Sequence, residues 1–114
     1  MIRSGALFAG VAANAAEEEF TPLAEHAGAR VERIVSTGHA SPAGFWYDQH
    51  WTEWVIVLQG EAALAIEGEP HPRILAPGDW LELLAHVRHR VEWTRADPPT
   101  VWLAIHWSAP APGR

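Results

Sequence analysis

The chain contains no cysteine and no lysine. Without cysteine there is no disulfide, no thiolate metal site and no sulfur nucleophile. Without lysine there is no Schiff-base chemistry and no phosphate-cradling loop lysine. All eight basic residues are therefore arginine, and they stand against a formal net charge of −6. No arginine cluster offsets that charge locally, so nucleic-acid binding is not expected, because backbone phosphates need concentrated positive charge. No apolar run approaches membrane-spanning length, and no membrane partner is expected. The Gly-x-Ser-x-Gly, Gly-x-Gly-x-x-Gly and His-Glu-x-x-His signatures are missing as well.

What is present fits one small domain. A length of 114 residues suffices to bury a core without staples, and 48% hydrophobic against 19% charged residues reads as globular rather than disordered. Arg3, the apolar stretch Ala6 to Ala13 and the small residues Ala15 and Ala16 have the outline of a secretion signal. The stretch is short, holds Gly5 and Gly10, and carries only two bulky side chains, Leu7 and Phe8. A cytoplasmic protein with a loosely attached N-terminal arm, residues 1–29, is the better reading. One helical turn is expected near Ala15 to Phe20, with Glu17, Glu18 and Glu19 as a solvated face.

From Arg30 onward the pattern is of short β-like runs between turn signals. Val31, Arg33 and Val35 alternate with Glu32, Ile34 and Ser36. Phe45 to Gln49 is aromatic and extended, and Trp54 to Leu58 reads as a strand buried on both faces. Ala62 to Ile66, Arg73 to Leu75, Trp80 to Leu84, His89 to Thr94 and Thr100 to Trp107 follow, separated by turns such as Ala76-Pro77-Gly78-Asp79. About seven or eight short strands at regular spacing suit a sandwich or barrel over residues 30–107, with residues 108–114 as a tail.

Two stretches carry chemistry. Gly44, five residues, His50, then Glu53, six residues, Gly60 forms one; Gly78, five residues, then Leu84-Ala85-His86-Val87-Arg88-His89, with Trp93 beyond, forms the other. These resemble the two cupin motifs and lie 17 residues apart, 61 to 77. The resemblance spans about residues 30–107 and is closest to small single-domain bacterial cupins. It implies an all-β double-stranded β-helix, a jelly-roll β-barrel with a short N-terminal arm. It also implies a divalent metal ion (Mn, Fe, Ni or Zn) in the barrel, a small-molecule ligand and a homodimer. Glu53 and His89 match the metal-ligand pattern residue by residue. The sequence departs from it by lacking a second motif-one histidine, and by Leu84, His86 and Trp93 standing where motif two has Pro, Gly and Asn.

Two registers compete for the motif-one positions. Counted from Gly44, His50 takes the first histidine position and period-two alternation aims Asp48 inward too, giving Asp48, His50, Glu53 and His89, a set suited to a metal. Counted back from Glu53, the positions fall on Tyr47 and Gln49, giving a polar binding pocket and a poorer metal site. Turn chemistry favours the second, because Trp51-Thr52 is an unsuitable two-residue hairpin; ligand chemistry favours the first. The candidate metal ligands are therefore Gln49, His50, Glu53, His86 and His89.

Candidate ligand-binding residues are Tyr47, Trp46, Trp93 and His106. Trp46, Trp51 and Trp93 flank the site and could stack on a sugar or aromatic ligand, while Trp54, Trp80, Trp102 and Trp107 read as core or interface packing. His89, Val91 and Trp93 are expected on the inner face of their strand, with Arg90 and Glu92 outward. His26, His39 and His71 fall in loops and receive no role. Two functions from different classes follow: a metal-dependent small-molecule cupin, or a metal-free ligand-binding cupin without catalysis.

Overall fold

The computed structural model describes residues 1–108; the C-terminal tail from Ala109, with Pro110 and Pro112, lies outside the described residues. Eight strands form the body: β1 (Glu19–His26), β2 (Ala29–Ser36), β3 (Thr52–Gln59), β4 (Ala62–Ile66), β5 (Arg73–Leu75), β6 (Trp80–Leu83), β7 (His89–Thr94) and β8 (Thr100–Trp107). Every pairing is antiparallel. The strands make a five-stranded sheet, β1-β2-β8-β3-β6, and a three-stranded sheet, β5-β4-β7. The expected all-β jelly roll is what the chain forms, without a helix among the described residues.

Alternation builds the core. Val55 and Val57 on β3, Ala62 and Leu64 on β4, Leu75 on β5, and Trp102 and Ala104 on β8 bury one continuous cluster between the sheets. β3 is buried on one face only: its residues alternate between buried and half-buried, so Trp54, Ile56 and Leu58 cover the outer surface of the large sheet. The expected burial of this strand on both faces is thereby corrected. Of the tryptophans assigned to packing, Trp102 is in the core, whereas Trp80 and Trp107 are exposed. Trp80 and Trp54 lie together on the outer face, with ring centroids 5.8 Å apart.

The N-terminal segment departs most from expectation. Its helical turn does not form; Glu19–His26 is instead β1, the edge of the large sheet, paired with β2. Pro22 is tolerated because an edge strand has one side without ladder hydrogen bonds, and the register slips between Pro22 and Ala24. The preceding residues run against β2, where the Arg33 guanidinium donates to the carbonyls of Leu7 and Ala9 at 2.9 and 2.8 Å. The His39 ring nitrogen Nε2 lies 3.1 Å from the Ala15 carbonyl. Glu18 is no solvated residue, since it accepts a hydrogen bond from Ser36 and lines the barrel cavity.

Candidate functional site

The large sheet sets a polar row beside an apolar one. Arg30 on β2 pairs with His106 on β8, His106 with Glu53 on β3, and Glu53 with Leu83 on β6. These four residues lie side by side on the inner face. One step deeper, Glu32, Ala104, Val55 and Leu81 form the next row. The small Ala104 leaves room for the Glu32 carboxylate beside His106. From the opposite sheet β7 contributes His89, whose backbone pairs with Tyr47 through hydrogen bonds of 2.7 and 3.2 Å. The Tyr47 and His89 rings stack at 5.3 Å.

These side chains line a cavity of about 230 Å³. Its polar end holds Glu32, Gln49, Glu53, His89 and His106, and its walls include Ile34, Val55, Leu64, Val91 and Trp102. Glu53 is buried at the centre of the polar end. One of its oxygens lies 3.9 Å from His89 Nε2, and the other lies 3.8 Å from His106 Nε2. His106 Nε2 is also 3.4 Å from Glu32, yet neither of its ring nitrogens forms a hydrogen bond.

Burial decides the protonation states. Desolvation, helped by the nearby Glu32 carboxylate and opposed by Arg30, pushes the Glu53 carboxyl up to about 7. Desolvation also holds His89 below the usual imidazole range, against the Val87 carbonyl, which favours its charged form. His106 is lowered mainly by desolvation, with Glu32 acting in the opposite direction. Near neutral pH the cavity thus holds two neutral imidazoles around a carboxyl that exchanges its proton readily. His89 Nδ1 lies 2.9 Å from the Val87 carbonyl, so Nδ1 carries the hydrogen and Nε2 turns a lone pair toward Glu53.

This arrangement has a consequence for stability. A carboxyl raised above its unfolded value stabilises the fold fully only below about pH 4.5, and that contribution is lost as pH rises through about 7. At pH 8 ionised Glu53 therefore costs on the order of 3 kcal/mol. Glu53→Gln is expected to raise Tm by several degrees at pH 8 and to change it little at pH 4.5; scanning calorimetry at both pH values checks this.

The register question is decided by the segment that runs into β3. Tyr47, Gln49, Trp51, Glu53 and Val55 all line the cavity, so alternation is unbroken from Tyr47 to Val55. His50 and Asp48 are on the other side of the chain and exposed. The reading with His50 inward is thereby corrected, and the turn argument prevails. His86 is also outside: its ring lies 2.9 Å from Asp48, and its backbone N–H donates to the Gln49 carbonyl at 2.6 Å. It adopts a left-handed backbone with φ of 68°, so its place in the turn is a backbone one.

Two tryptophan expectations also fail. Trp46 alternates out of the cavity and packs under the Arg88 guanidinium, 5.8 Å from its ring centroid. Trp93 is exposed because a bulge interrupts β7: Leu64 pairs with Val91 and Ala63 with Trp93, so Glu92 is the extra residue. Beyond it the phase inverts and Thr94 turns inward instead. His106 lines the cavity. Glu32, Arg30 and Glu18 were missed; Glu32 and Arg30 alternate with apolar Val31, which gives a sequence reader no sign of which face is inside.

The motif resemblance implies a metal, and the donor set does not fit one. Among the described residues, no three His, Cys, Asp or Glu side chains gather closely enough to hold an ion. The two imidazoles address opposite oxygens of one carboxylate, and Tyr47 and Gln49 occupy the positions where two more histidines would be needed. Metal chemistry of this kind usually draws on three or four converging donors.

The cupin domain family model matches residues 32–106, which is most of the barrel. This chain is a cupin. A comparison with curated proteins found no match. Among solved structures, the cupin resembles a "putative mannose-6-phosphate isomerase" from Ralstonia eutropha JMP134. The two share 52% identity over 95% of this chain and 100% of that one, with a TM-score of 0.91. A cupin superfamily protein from Desulfitobacterium hafniense shares 18% identity over 87% of this chain and 84% of that one, at a TM-score of 0.71. An RmlC-like cupin from Desulfovibrio desulfuricans shares 14% over 95% and 98%, at 0.74. The last two likenesses concern the fold alone.

Proposed function

We propose that this cupin binds a small hydroxy-carbonyl compound in its barrel and moves a proton between adjacent carbons, with Glu53 as the base. The observation that carries this reading is the buried Glu53 carboxyl, poised to titrate near neutrality between two neutral imidazoles. A general base works best when its pKa lies near the operating pH. In the step envisaged, ionised Glu53 takes the proton from the carbon bearing the hydroxyl. The C–H electron pair forms a carbon–carbon double bond while the carbonyl oxygen gains a proton, giving an enediol. Glu53 then returns its proton to the neighbouring carbon as the other hydroxyl gives up its own. His89 and His106, with Nε2 atoms 3.9 and 3.8 Å from the two Glu53 oxygens, would carry protons to and from the substrate oxygens. The name borne by the Ralstonia protein supports the substrate class, because an aldose–ketose interconversion is this chemistry.

The test is wash-in of solvent deuterium into glyceraldehyde, dihydroxyacetone and mannose by protein dialysed against a chelator, followed by NMR. Exchange without added metal is expected. Exchange that appears only on adding Mn, Fe, Ni or Zn, or no exchange at all, would overturn the metal-free reading.

We also propose that the functional unit is a homodimer. The outer face of the large sheet presents Trp80, Trp107 and the half-buried Trp54, Ile56, Leu103 and Ile105 along neighbouring strands. A contiguous apolar face of this kind is one that a second copy of the same sheet can cover. Sedimentation at micromolar concentration should give a dimer, and Trp80→Arg should shift it to monomer. A wild-type monomer at that concentration would contradict the assignment.

A further inference from the structure

Beside the barrel cavity lies a second pocket of about 180 Å³, lined by Glu25, Gly28, Arg30, His50, Trp51, His106 and Ser108. Three of these residues, Arg30, Trp51 and His106, line both spaces and so form the wall between them. That wall has an unusual polar content. Arg30 Nε, Trp51 Nε1 and both ring nitrogens of His106 are buried and have no hydrogen-bond partner. Buried polar atoms are almost always paired, so Arg30 Nε, Trp51 Nε1 and His106 Nδ1, on three neighbouring residues, call for an explanation. The residues are held together by the fold: Arg30 is the cross-strand partner of His106, and the Trp51 ring meets the His106 ring edge-on at 6.0 Å.

The chemistry of the unpaired atoms names the missing partner. The Arg Nε–H and Trp Nε1–H groups can only donate, and a neutral imidazole donates from one nitrogen. His106 is nine-tenths buried, so bulk water does not serve it freely. Arg30 makes no ion pair among the described residues. His50 and Ser108 add further donor-bearing side chains, and Glu25 is the one carboxylate lining the pocket. His106 Nε2 faces the Glu32 and Glu53 carboxylates on the barrel side, so the donors left without an acceptor are Arg30 Nε–H and Trp51 Nε1–H, with His106 Nδ1 beside them, and an oxyanion would supply one. We propose that the side pocket walled by Arg30, Trp51 and His106 binds an oxyanion, the carboxylate or phosphate group of a ligand. The pocket has room for such a group together with ordered water. His50, which is turned away from the barrel, thereby acquires a place at the pocket's rim. The side pocket would hold this group whether or not Glu53 moves a proton.

The experiment is an NMR titration of the 15N-labelled full chain with inorganic phosphate and, separately, with sodium acetate, each at constant ionic strength against chloride. The signals followed are the Trp51 indole N–H, the Arg30 Nε–H and the His50 and His106 rings. Saturable shifts at these groups with millimolar midpoints are expected for at least one anion. Phosphate alone points to a phosphate ester as the ligand, and acetate alone to a carboxylic acid. Arg30→Gln should weaken the midpoint about tenfold, because it removes a charge-assisted donor. Trp51→Phe, which keeps a ring and removes only the N–H, should weaken it about threefold and serves if Arg30→Gln does not fold. Glu53→Gln should leave binding intact, so loss of deuterium exchange in that variant with anion binding retained separates the two sites. No saturable shift up to about 100 mM of either anion would overturn the proposal. So would equal shifts produced by glycerol, or midpoints unmoved by both wall substitutions.

Discussion

Glu53→Gln is expected to lower the rate of deuterium exchange into hydroxy-carbonyl probes by about a hundredfold or more. The substitution keeps size and hydrogen-bonding shape but removes the basic carboxylate. Because the cavity supplies no other carboxylate at the same point, the loss should not be recovered at any pH. Glu32 is the nearest alternative, and it sits one row deeper, 3.4 Å from His106. His106→Gln and His89→Gln should cost less, on the order of tenfold each, since either imidazole can partly replace the other as a proton carrier. Rates measured across pH would separate these roles. Wild-type exchange should rise as Glu53 ionises through about pH 7, and the Gln variant should show no such rise. A Gln variant as active as wild type would remove Glu53 from the chemistry.

Gly60→Ala is the substitution with the largest expected effect on folding. Gly60 closes the turn between β3 and β4 with φ of 85°, a left-handed backbone that L side chains rarely adopt. A Cβ built there would stand 2.5 Å from the Thr100 hydroxyl and 2.7 Å from the Thr100 Cα. The second contact is with backbone and cannot be relieved by a rotamer change. Thr100 is itself fully buried at the start of β8, so the strand carrying His106 would have to shift. The combined cost should exceed about 3 kcal/mol. Thermal unfolding should then fall by more than about 10 °C, or the variant should fail to fold. Gly68→Ala is a fitting control: its φ is 92°, but nothing lies within 4 Å of the added Cβ. It should lose only the conformational part.

The barrel was legible in the sequence because its turns are. Gly44, Gly60 and Gly78 have positive φ, and the short apolar runs between such turns became strands β3 to β8 close to their expected bounds. Glu53 and His89 were legible because their spacing from those glycines is fixed by the turns. β1 was not legible. Its sequence, EFTPLAEH, has no alternation and contains a proline, and only pairing with β2 makes it a strand. Trp93 was misplaced because a bulge at Glu92 leaves no mark in composition yet reverses every side chain after it. His50 was ambiguous because two anchors, Gly44 and Glu53, gave opposite phases. The lining of the cavity by Tyr47, Gln49 and Glu53 selects the second. The side pocket was beyond sequence reasoning altogether, since Arg30, Trp51 and His106 come from three separated segments and meet only through strand pairing.

The proposed chemistry requires Glu53 to be a buried carboxyl that exchanges its proton near neutrality. The most direct test is an NMR titration of the Glu53 side-chain carboxyl carbon in 13C-labelled, metal-stripped protein, assigned by comparison with Glu53→Gln. A midpoint at about 7 is expected. A midpoint near the ordinary value of 4.5 would contradict it, because Glu53 would then be a permanently ionised wall residue and not the group that moves the proton.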